Sequence, residues 1–498
     1  MSGLKAKDLK NYEFWFITGS QDLYGDDVIR QVAEHSKIMV DGFDGSKNIP
    51  GKVVFKGVVK TPSEITDIME AANFDKKCAG VMTWMHTFSP SKMWIAGLSR
   101  LNKPYLHLNT QFNKEIPWDE IDMDFMNLNQ SAHGDREHGF IGARLRLPRK
   151  IVVGYWEDQK VQEKIGNWMR SAIGVSESRS LKVARFGDNM REVAVTEGDK
   201  VEAQIKFGWS VNYHPVGDLV AYVDAVTEKE IDDQMELYSN KYEIKTENMD
   251  AVRYQARLEV GMTKFLEEGD FGAFITTFQD LYGLKQLPGL AVQRLMEEGY
   301  GFAGEGDWKT AAITRIMKIM SMGLEGGTSF MEDYTYHMAE GRELVLGAHM
   351  LEVCPSIAST KPTIEVHNLG IGGKEAPARM VFDGSAGDAI LVSLIDMGGR
   401  MRMIVNDVAA VKPLKSMPKL PVAGVMWEPM PNLQTSAEAW ILAGGAHHSV
   451  MSYTLTADHM RDFAEMLKIE FVHIHKNTNV IELKKELMWN DIQWKLSN

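Results

Sequence analysis

The chain has 498 residues, of which 44% are hydrophobic and 25% charged, a composition typical of a folded globular protein with two or three domains. Its net charge of −13 argues against a broad nucleic-acid surface, since phosphate binding depends on clustered lysine and arginine. Two cysteines exclude a disulfide framework, and the absence of a signal-like or membrane-length apolar run predicts a cytoplasmic protein without a membrane partner.

Short apolar runs alternate with amphipathic stretches in the first third of the chain. This alternation predicts a doubly wound parallel sheet of the Rossmann or flavodoxin-like type, covered by helices on both faces. A helix is predicted over residues 89–102, and function is expected in the loops that follow the strands. The predicted strands are FWFITGS, KVVFKGVV, CAGVMTWM, PYLHLN and KIVVGYW.

A second α/β unit is predicted from about residue 180 to the helix after Asp307. Residues 227–238 and 251–268 have helical spacing, whereas the polar stretch 195–204 is interpreted as a loop. After about residue 360 strand-like runs with Gly and Pro between them predict an antiparallel sheet or barrel. The predicted fold class is therefore α/β with three domains, the third β-rich and barrel-like, spanning residues 1–176, 177–326 and 327–498.

Carboxylates and imidazoles recur on short Gly-bearing segments of the second half of the chain. Two Glu and two His form an oxygen and nitrogen ligand set without thiolate, which suits Mn²⁺, Fe²⁺ or Co²⁺ better than a structural zinc ion. This composition points to catalysis at a metal centre. The segments are GEGDWKTAA around Glu305, FMEDYTYHM around Glu332, GAHMLE around His349 and GGAHHS around His448.

Both glutamates also have ordinary structural explanations. Glu305 precedes Asp307, a predicted helix cap, and is either a surface turn residue or a ligand whose flanking glycines let the backbone approach an ion. Glu332 lies among aromatic residues, where a buried carboxylate must either bind a metal or pair with an arginine such as Arg342.

The histidines have the same two explanations. His349 lies in an apolar run, where a histidine is often a satisfied core residue rather than a ligand. His447 and His448 are adjacent, and side chains at neighbouring positions diverge. One of the two could therefore bind an ion while the other meets a substrate.

Six segments, in this order, resemble bacterial L-arabinose isomerases over nearly the whole chain. The resemblance implies a cytoplasmic three-domain isomerase that interconverts L-arabinose and L-ribulose through a metal-stabilised enediol and also converts D-galactose to D-tagatose. It implies one Mn²⁺ (or Co²⁺ or Fe²⁺) per subunit and a homohexamer built as a dimer of trimers. The segments are EFWFITGSQDLYG, MDFMNLNQSAHGDRE, GEGDWKTAA, FMEDYTYH, GAHMLEVCPS and WILAGGAHHS.

The resemblance also implies roles for individual residues. Glu305 and Glu332 should be the acid and base, in an order that the sequence leaves open, and should share the metal with His349 and His448. Gln130 and His133 should reach the site from a neighbouring subunit. The remaining sugar-lining positions implied are Gln21, Leu23, Met190, Phe278, Met350, Ile371 and His447.

The chain departs from the family pattern at two positions. Asp22 stands where the family usually has His, and His138 where it usually has Phe, so an altered pH profile or sugar preference is expected. Two other functions compete: an isomerase of another aldose such as L-fucose, and a non-catalytic sugar-binding protein. Metal-dependent turnover separates an enzyme from a binding protein.

Overall fold

The structure is a computed structural model that describes residues 8–497. The described residues divide into two compact units: one contains residues 177–460 and 469–497, and the other contains residues 8–176 and 461–468. Within the described part, no helix combines the length and the apolar character needed to cross a membrane.

The N-terminal region contains a five-stranded parallel sheet. Its strands are β1 (Glu13–Gly19), β2 (Lys52–Val59), β3 (Cys78–Trp84), β4 (Tyr105–Asn109) and β5 (Lys150–Val153). They lie in the order β2-β1-β3-β4-β5, which is the flavodoxin-like order, so this part of the fold prediction is confirmed. The helices are α1 (Gly25–Asp44), α2 (Pro62–Phe74), α3 (Ile95–Arg100), α4 (Met123–Leu128), α5 (Ser131–Arg144) and α6 (Gln159–Ser178).

The sequence explains where these elements pack and end. Strand β3 is buried along its whole length, as a central parallel strand covered on both faces must be. The helix predicted at 89–102 is shorter, because a 3₁₀ turn at Ser91–Trp94 precedes α3 and Leu101 is already extended shortly before Pro104.

The central region contains a four-stranded parallel sheet. Its strands are β6 (Lys182–Phe186), β7 (Ser210–His214), β9 (Ala273–Thr276) and β10 (Gly301–Ala303), in the order β10-β9-β6-β7. The short strand β8 (Glu243–Ile244) belongs to another sheet. The helices are α7 (Lys200–Phe207), α8 (Val216–Asp224), α9 (Glu228–Lys241), α10 (Met249–Glu268), α11 (Gly289–Glu297) and α12 (Trp308–Met320).

The predicted loop at 195–204 is wrong in its second half, where helix α7 begins. The Asp199 side chain accepts hydrogen bonds from the amides of Val201 and Glu202 and so caps the helix. Only Ala203 and Phe207 of this helix are buried. Their narrow apolar stripe lies among charged residues, which made the segment resemble a loop.

The C-terminal region is built on strands that close into a ring. The strands are β11 (Thr328–His337), β12 (Leu344–Ala348), β13 (Thr363–Val366), β14 (Ala378–Val381), β15 (Gly387–Asp396), β16 (Met401–Val411), β17 (Gly424–Pro429), β18 (His448–Ser452) and β19 (Glu470–Ile474). Helices α13 (Leu433–Ala443), α14 (Ala457–Leu467) and α15 (Val480–Ser497) complete the region, and β13 pairs with β14 and β8 in a small separate sheet.

Six of these strands pair around a closed circuit, β15-β18-β11-β12-β17-β16, and β15 pairs back onto β16. Strand β19 adds to β16 in parallel. Each of the six contributes a residue to one buried apolar cluster, as the interior of a small barrel requires. The contributing residues are Met331, Val345, Leu391, Val408, Trp427 and Met451. The predicted β-rich, barrel-like fold is therefore observed.

Candidate metal centre

Strand register brings the barrel residues of the candidate site together. Glu332 on β11 is paired with Ala348 on β12 and with His448 on β18. Directly paired residues of neighbouring antiparallel strands have Cβ atoms about 5 Å apart. His349 follows Ala348 at the end of β12, so three of the predicted ligands lie on three adjacent strands or their ends.

Glu305 reaches the site from the turn between β10 and α12. Its backbone is left-handed, with φ of 57°, which is rare for a residue other than glycine and is often found at functional sites. The amide of Met190 donates to the Glu305 carbonyl at 3.0 Å. A Cβ atom at Gly304 would lie 2.9 Å from Cε1 of His349, so only glycine allows this turn to approach the ring.

The four predicted ligands and His447 form two overlapping groups. Glu305, His349 and His448 place one ligand atom each within 4.8 Å of one another, and so do Glu332, His447 and His448. The groups are also joined by His349 Nε2, which lies 3.9 Å from a Glu332 oxygen. His448 therefore belongs to both groups.

Two buried carboxylates hold the imidazoles from behind. Nδ1 of His349 is hydrogen-bonded to Glu352, and Nδ1 of His448 lies 3.2 Å from Asp307. In both rings this leaves Nε2 for the candidate site, which is the usual arrangement of a metal-binding histidine with a carboxylate behind it. Asp307 also caps α12 through the amide of Thr310, as the sequence predicts.

The charges of the two supporting carboxylates are balanced by their neighbours. Burial opposes ionisation of Asp307, but Lys309 and the His448 ring hold its pKa well below the usual range. Burial lowers the pKa of His448, which favours the neutral ring that a metal requires. Burial also opposes protonation of His349, but the neighbouring Glu352 carboxylate outweighs burial and raises the pKa of this ring.

His447 pairs with the turn glutamate. Its Nε2 lies 3.3 Å from Glu305, and this hydrogen bond lowers the pKa of Glu305 and raises that of His447. The half-buried Glu305 is therefore a carboxylate at neutral pH, and its pairing with His447 distinguishes it from a free surface-turn glutamate.

The contacts of Glu332 and His448 favour metal binding over the structural alternatives. Among residues 8–497, Glu332 forms no ion pair with Arg342 or another arginine, and its carboxylate instead lies 3.9 Å from Nε2 of His349. Nε2 of His448 is buried without a hydrogen-bond partner in the described chain. A buried, unpaired ring nitrogen is costly unless a ligand occupies it.

This donor set fits a divalent ion. Ligand atoms about 2.1 Å from a common ion lie roughly 3 to 4 Å apart, close to the spacings of the two groups. Glu305, Glu332, His349 and His448 supply two carboxylates and two imidazoles, and His448 offers the orphaned nitrogen. The set matches the oxygen and nitrogen preference of Mn²⁺ and similar ions.

A cavity of about 520 Å³ includes three of the predicted sugar-lining residues, Met190, Phe278 and Ile371. Two of these lining residues contact the candidate metal centre: the ring of Phe278 lies parallel to that of His349 with centroids 6.1 Å apart, and the amide of Met190 donates to the Glu305 carbonyl. Met350, another predicted lining residue, is half-buried beside His349 and accepts a hydrogen bond from Tyr334.

Four predicted sugar-lining residues belong to the other compact unit. Leu23 and His133 are exposed, whereas Gln21 and Gln130 are half-buried. Gln130 accepts a hydrogen bond from Tyr24, and the ring of His133 stacks on Phe88.

The two departures from the family pattern also lie in this unit. Asp22 forms an ion pair with Lys60 at 2.6 Å. His138 is buried, and its Nε2 lies 2.6 Å from the Tyr105 hydroxyl. His138, at the position where the resemblance implies Phe, therefore makes a polar contact through Nε2, while its Nδ1 is buried without a hydrogen-bond partner in the described chain.

Sequence reasoning did not assign Glu352 and assigned Asp307 only as a helix cap. A signal for Glu352 was present, because it follows His349 by three residues and candidate histidine ligands commonly need a carboxylate at Nδ1. No comparable signal linked Asp307 to His448, since the two residues are far apart in sequence.

Three family models match consecutive parts of the chain. They describe the L-arabinose isomerase N-terminal domain at residues 8–180, the central domain at 182–323 and the C-terminal domain at 327–470. The L-arabinose isomerase of Geobacillus kaustophilus is 60% identical over 493 residues, covering 98% of this chain and 99% of the relative. Those of Tolumonas auensis and Thermotoga petrophila are 58% and 57% identical, each over 98% of this chain and 99% of the relative.

Removing either supporting carboxylate should weaken metal binding. Asp307→Asn and Glu352→Gln keep the side-chain volume but lose the acceptor that fixes each ring, so Mn²⁺ affinity should fall about 10- to 100-fold. Calorimetric titration of the apo-protein measures this. Asp407→Asn, which alters a carboxylate paired with His473 elsewhere in the barrel, is the matched control and should leave affinity unchanged. Wild-type affinity in both test variants would contradict the proposed support.

Proposed function

The chain belongs to the L-arabinose isomerase family, and we propose that it interconverts L-arabinose and L-ribulose as an intramolecular oxidoreductase. The observation that carries this proposal is the 57–60% identity over 98% of the chain to relatives named for that activity. The meeting of two carboxylates and two imidazoles beside a large cavity supports it. We also propose that it acts on D-galactose, which has the same configuration as L-arabinose at its second to fourth carbons.

We assign Mn²⁺, or Co²⁺ or Fe²⁺, as the resident ion, one per subunit, held by Glu305, Glu332, His349 and His448. When bound, such an ion polarises the two sugar oxygens between which the carbonyl moves. The unpaired Nε2 of His448 and the carboxylates behind both rings support this assignment.

The carboxylates of Glu305 and Glu332 carry the proton transfers. Isomerisation requires a base that takes the proton from the second carbon of the aldose and returns it to the first carbon. It also requires an acid that exchanges protons with the two oxygens. The hydrogen bond from His447 keeps Glu305 ionised, and so able to accept a proton.

The lining side chains orient the sugar. Met190, Phe278, Ile371 and Met350 supply the apolar wall, and His447 supplies a ring nitrogen near Glu305. The family resemblance adds Gln21, Leu23, Gln130 and His133 to the proposed sugar-binding residues, the last two acting from a neighbouring subunit.

We propose a cytoplasmic homohexamer arranged as a dimer of trimers. Large exposed apolar side chains are concentrated on two segments, and clusters of this kind often mark protein interfaces. The first segment, 116–126, includes Ile116, Trp118, Met123 and Met126, and the second, on α15, includes Ile481, Met488, Trp489 and Leu496.

The activity should depend on the ion. Manganese-loaded protein should form ketose from L-arabinose faster than from D-galactose or L-fucose, and exhaustive chelation should abolish turnover until Mn²⁺ is added back. A ketose assay over this panel, with elemental analysis, measures both properties. Full activity in metal-free protein would refute the metal assignment, and a preference for L-fucose would refute the substrate.

Each catalytic glutamate should be essential. Glu305→Gln and Glu332→Gln keep the volume but cannot accept a proton, and loss of general acid or base catalysis alone lowers rates about 10² to 10⁴-fold. Turnover is measured at saturating Mn²⁺ to separate chemistry from metal affinity. Glu365→Gln, which alters a glutamate paired with His367, is the control. A variant retaining more than about a tenth of the wild-type rate would have no such role.

Inactive subunits should complement each other if the site is shared. His133→Ala and His448→Ala remove groups assigned to different subunits of one site, so mixed oligomers should regain part of the activity lost by each parent. Activity is measured after exchange that is verified with differently tagged subunits. Mixed oligomers that stay inactive, or a fully active monomer in sedimentation, would show that each subunit has a complete site.

A further inference from the structure

A buried lysine and a buried cysteine meet beneath the barrel strand that carries Glu332. Nζ of Lys318, on α12, lies 3.3 Å from Sγ of Cys354. Lys318 is only 6% exposed and Cys354 is fully buried. The same Nζ donates to the Thr328 carbonyl at 2.7 Å, and Sγ also lies 3.2 Å from the Ser356 hydroxyl.

The lysine has no carboxylate partner in the described chain. Its hydrogen-bond acceptors are one carbonyl and the sulfur of Cys354. Buried ammonium groups are normally paired with a carboxylate, because an uncompensated charge in the interior is costly. A thiol, which is a readily oxidised group, therefore lies where a carboxylate would be expected.

The sulfur is held in place while the nitrogen is on a flexible arm. The Cys354 amide donates to Ser329 at 2.8 Å, and the preceding Val353 carbonyl accepts from Gln293 at 3.0 Å. A Cβ atom at Gly327 would lie 2.2 Å from the Ser356 carbonyl oxygen, so the backbone after Cys354 is packed directly against the start of β11. The four-carbon stem of Lys318 can adjust to a bond with this fixed sulfur.

We propose that Lys318 and Cys354 are a covalent modification site, at which dioxygen links Nζ to Sγ through one oxygen atom as an N–O–S bridge. One S–O and one O–N bond form, and the O–O bond breaks. Sulfur and nitrogen lose two electrons each, and dioxygen accepts all four. The thiol and the neutral amine carry three hydrogens, of which one stays on the bridging nitrogen and two leave with the second oxygen atom as water.

The second cysteine supplies an internal control. Sγ of Cys78 is hydrogen-bonded to the Gly80 carbonyl rather than to an amine, and burial raises the pKa of this thiol to about 12. The nearby Lys103 directs its Nζ to the Cys78 backbone carbonyl at 2.7 Å, whereas Lys318 directs its Nζ to Sγ of Cys354, so the bridge should form at Cys354 only.

Peptide mass spectrometry tests the proposal on the full-length protein. Protein purified without oxygen is compared with protein held in oxygen-saturated buffer, and both are digested with and without thiol reductant. The segments containing Lys318 and Cys354 should become joined, with a gain of one oxygen and a loss of two hydrogens, about 14 Da. Reductant should separate them, whereas methionine sulfoxide elsewhere should persist.

Three variants identify the atoms. Cys354→Ser and Lys318→Met should each abolish the joined peptide, and Cys78→Ser should retain it. Thermal unfolding checks that each variant is folded, and the wild-type digest decides the question if one is not. Free peptides after oxygen exposure, Cys354 oxidised to sulfinic acid beside unmodified Lys318, or a joined peptide that survives in Cys354→Ser would each overturn the proposal.

Discussion

The pairing of β11 with both β12 and β18 is the constraint on which the candidate site depends. Because side chains alternate along a strand, a slip of one residue in either pairing would send Glu332 to the opposite face of the sheet. The ring of six paired strands has no free edge among its members, so each register is held from both sides. The common cluster that contains Met331 and Met451 holds the same registers through packing.

The second constraint is electrostatic. A cluster of ionisable groups in the interior is stable only if each charge has a partner, and removing one partner of a buried pair typically costs about 3 to 5 kcal/mol. Asp307 meets this condition with His448, Lys309 and the N-terminus of α12, and Glu352 meets it with His349. These contacts orient the rings before any ligand arrives, so an ion need not organise them.

The turn that carries Glu305 connects the α/β part of the candidate site with its β-rich part. Its left-handed backbone is held by the amide of Met190, and the neighbouring Gly306 has φ of 79° with the backbone of Asn189 close to its Cα. A strained residue persists only when its surroundings determine it. Here the strain directs a carboxylate toward His447 and His448 rather than into solvent.

Much of the fold follows from local patterns. Apolar periodicity predicted the five strands of the first sheet, helices at 227–238 and 251–268, and a β-rich third region, because burial imposes a regular spacing on apolar residues. The two helices are observed at Glu228–Lys241 and Met249–Glu268. Helix α7 was not predicted, since only two of its residues are buried and so narrow an apolar stripe does not show a helical period.

Residue chemistry pointed to Glu305, Glu332, His349 and one of His447 and His448 as a possible ligand set, and the family resemblance selected His448. Their meeting was decided by strand register and by the packing of α12 against the barrel, which join residues more than a hundred positions apart. The partnership of Asp307 with His448, and that of Lys318 with Cys354, likewise arise only in the folded chain. Sequence specifies which groups are available, but distance and burial decide which of them act together.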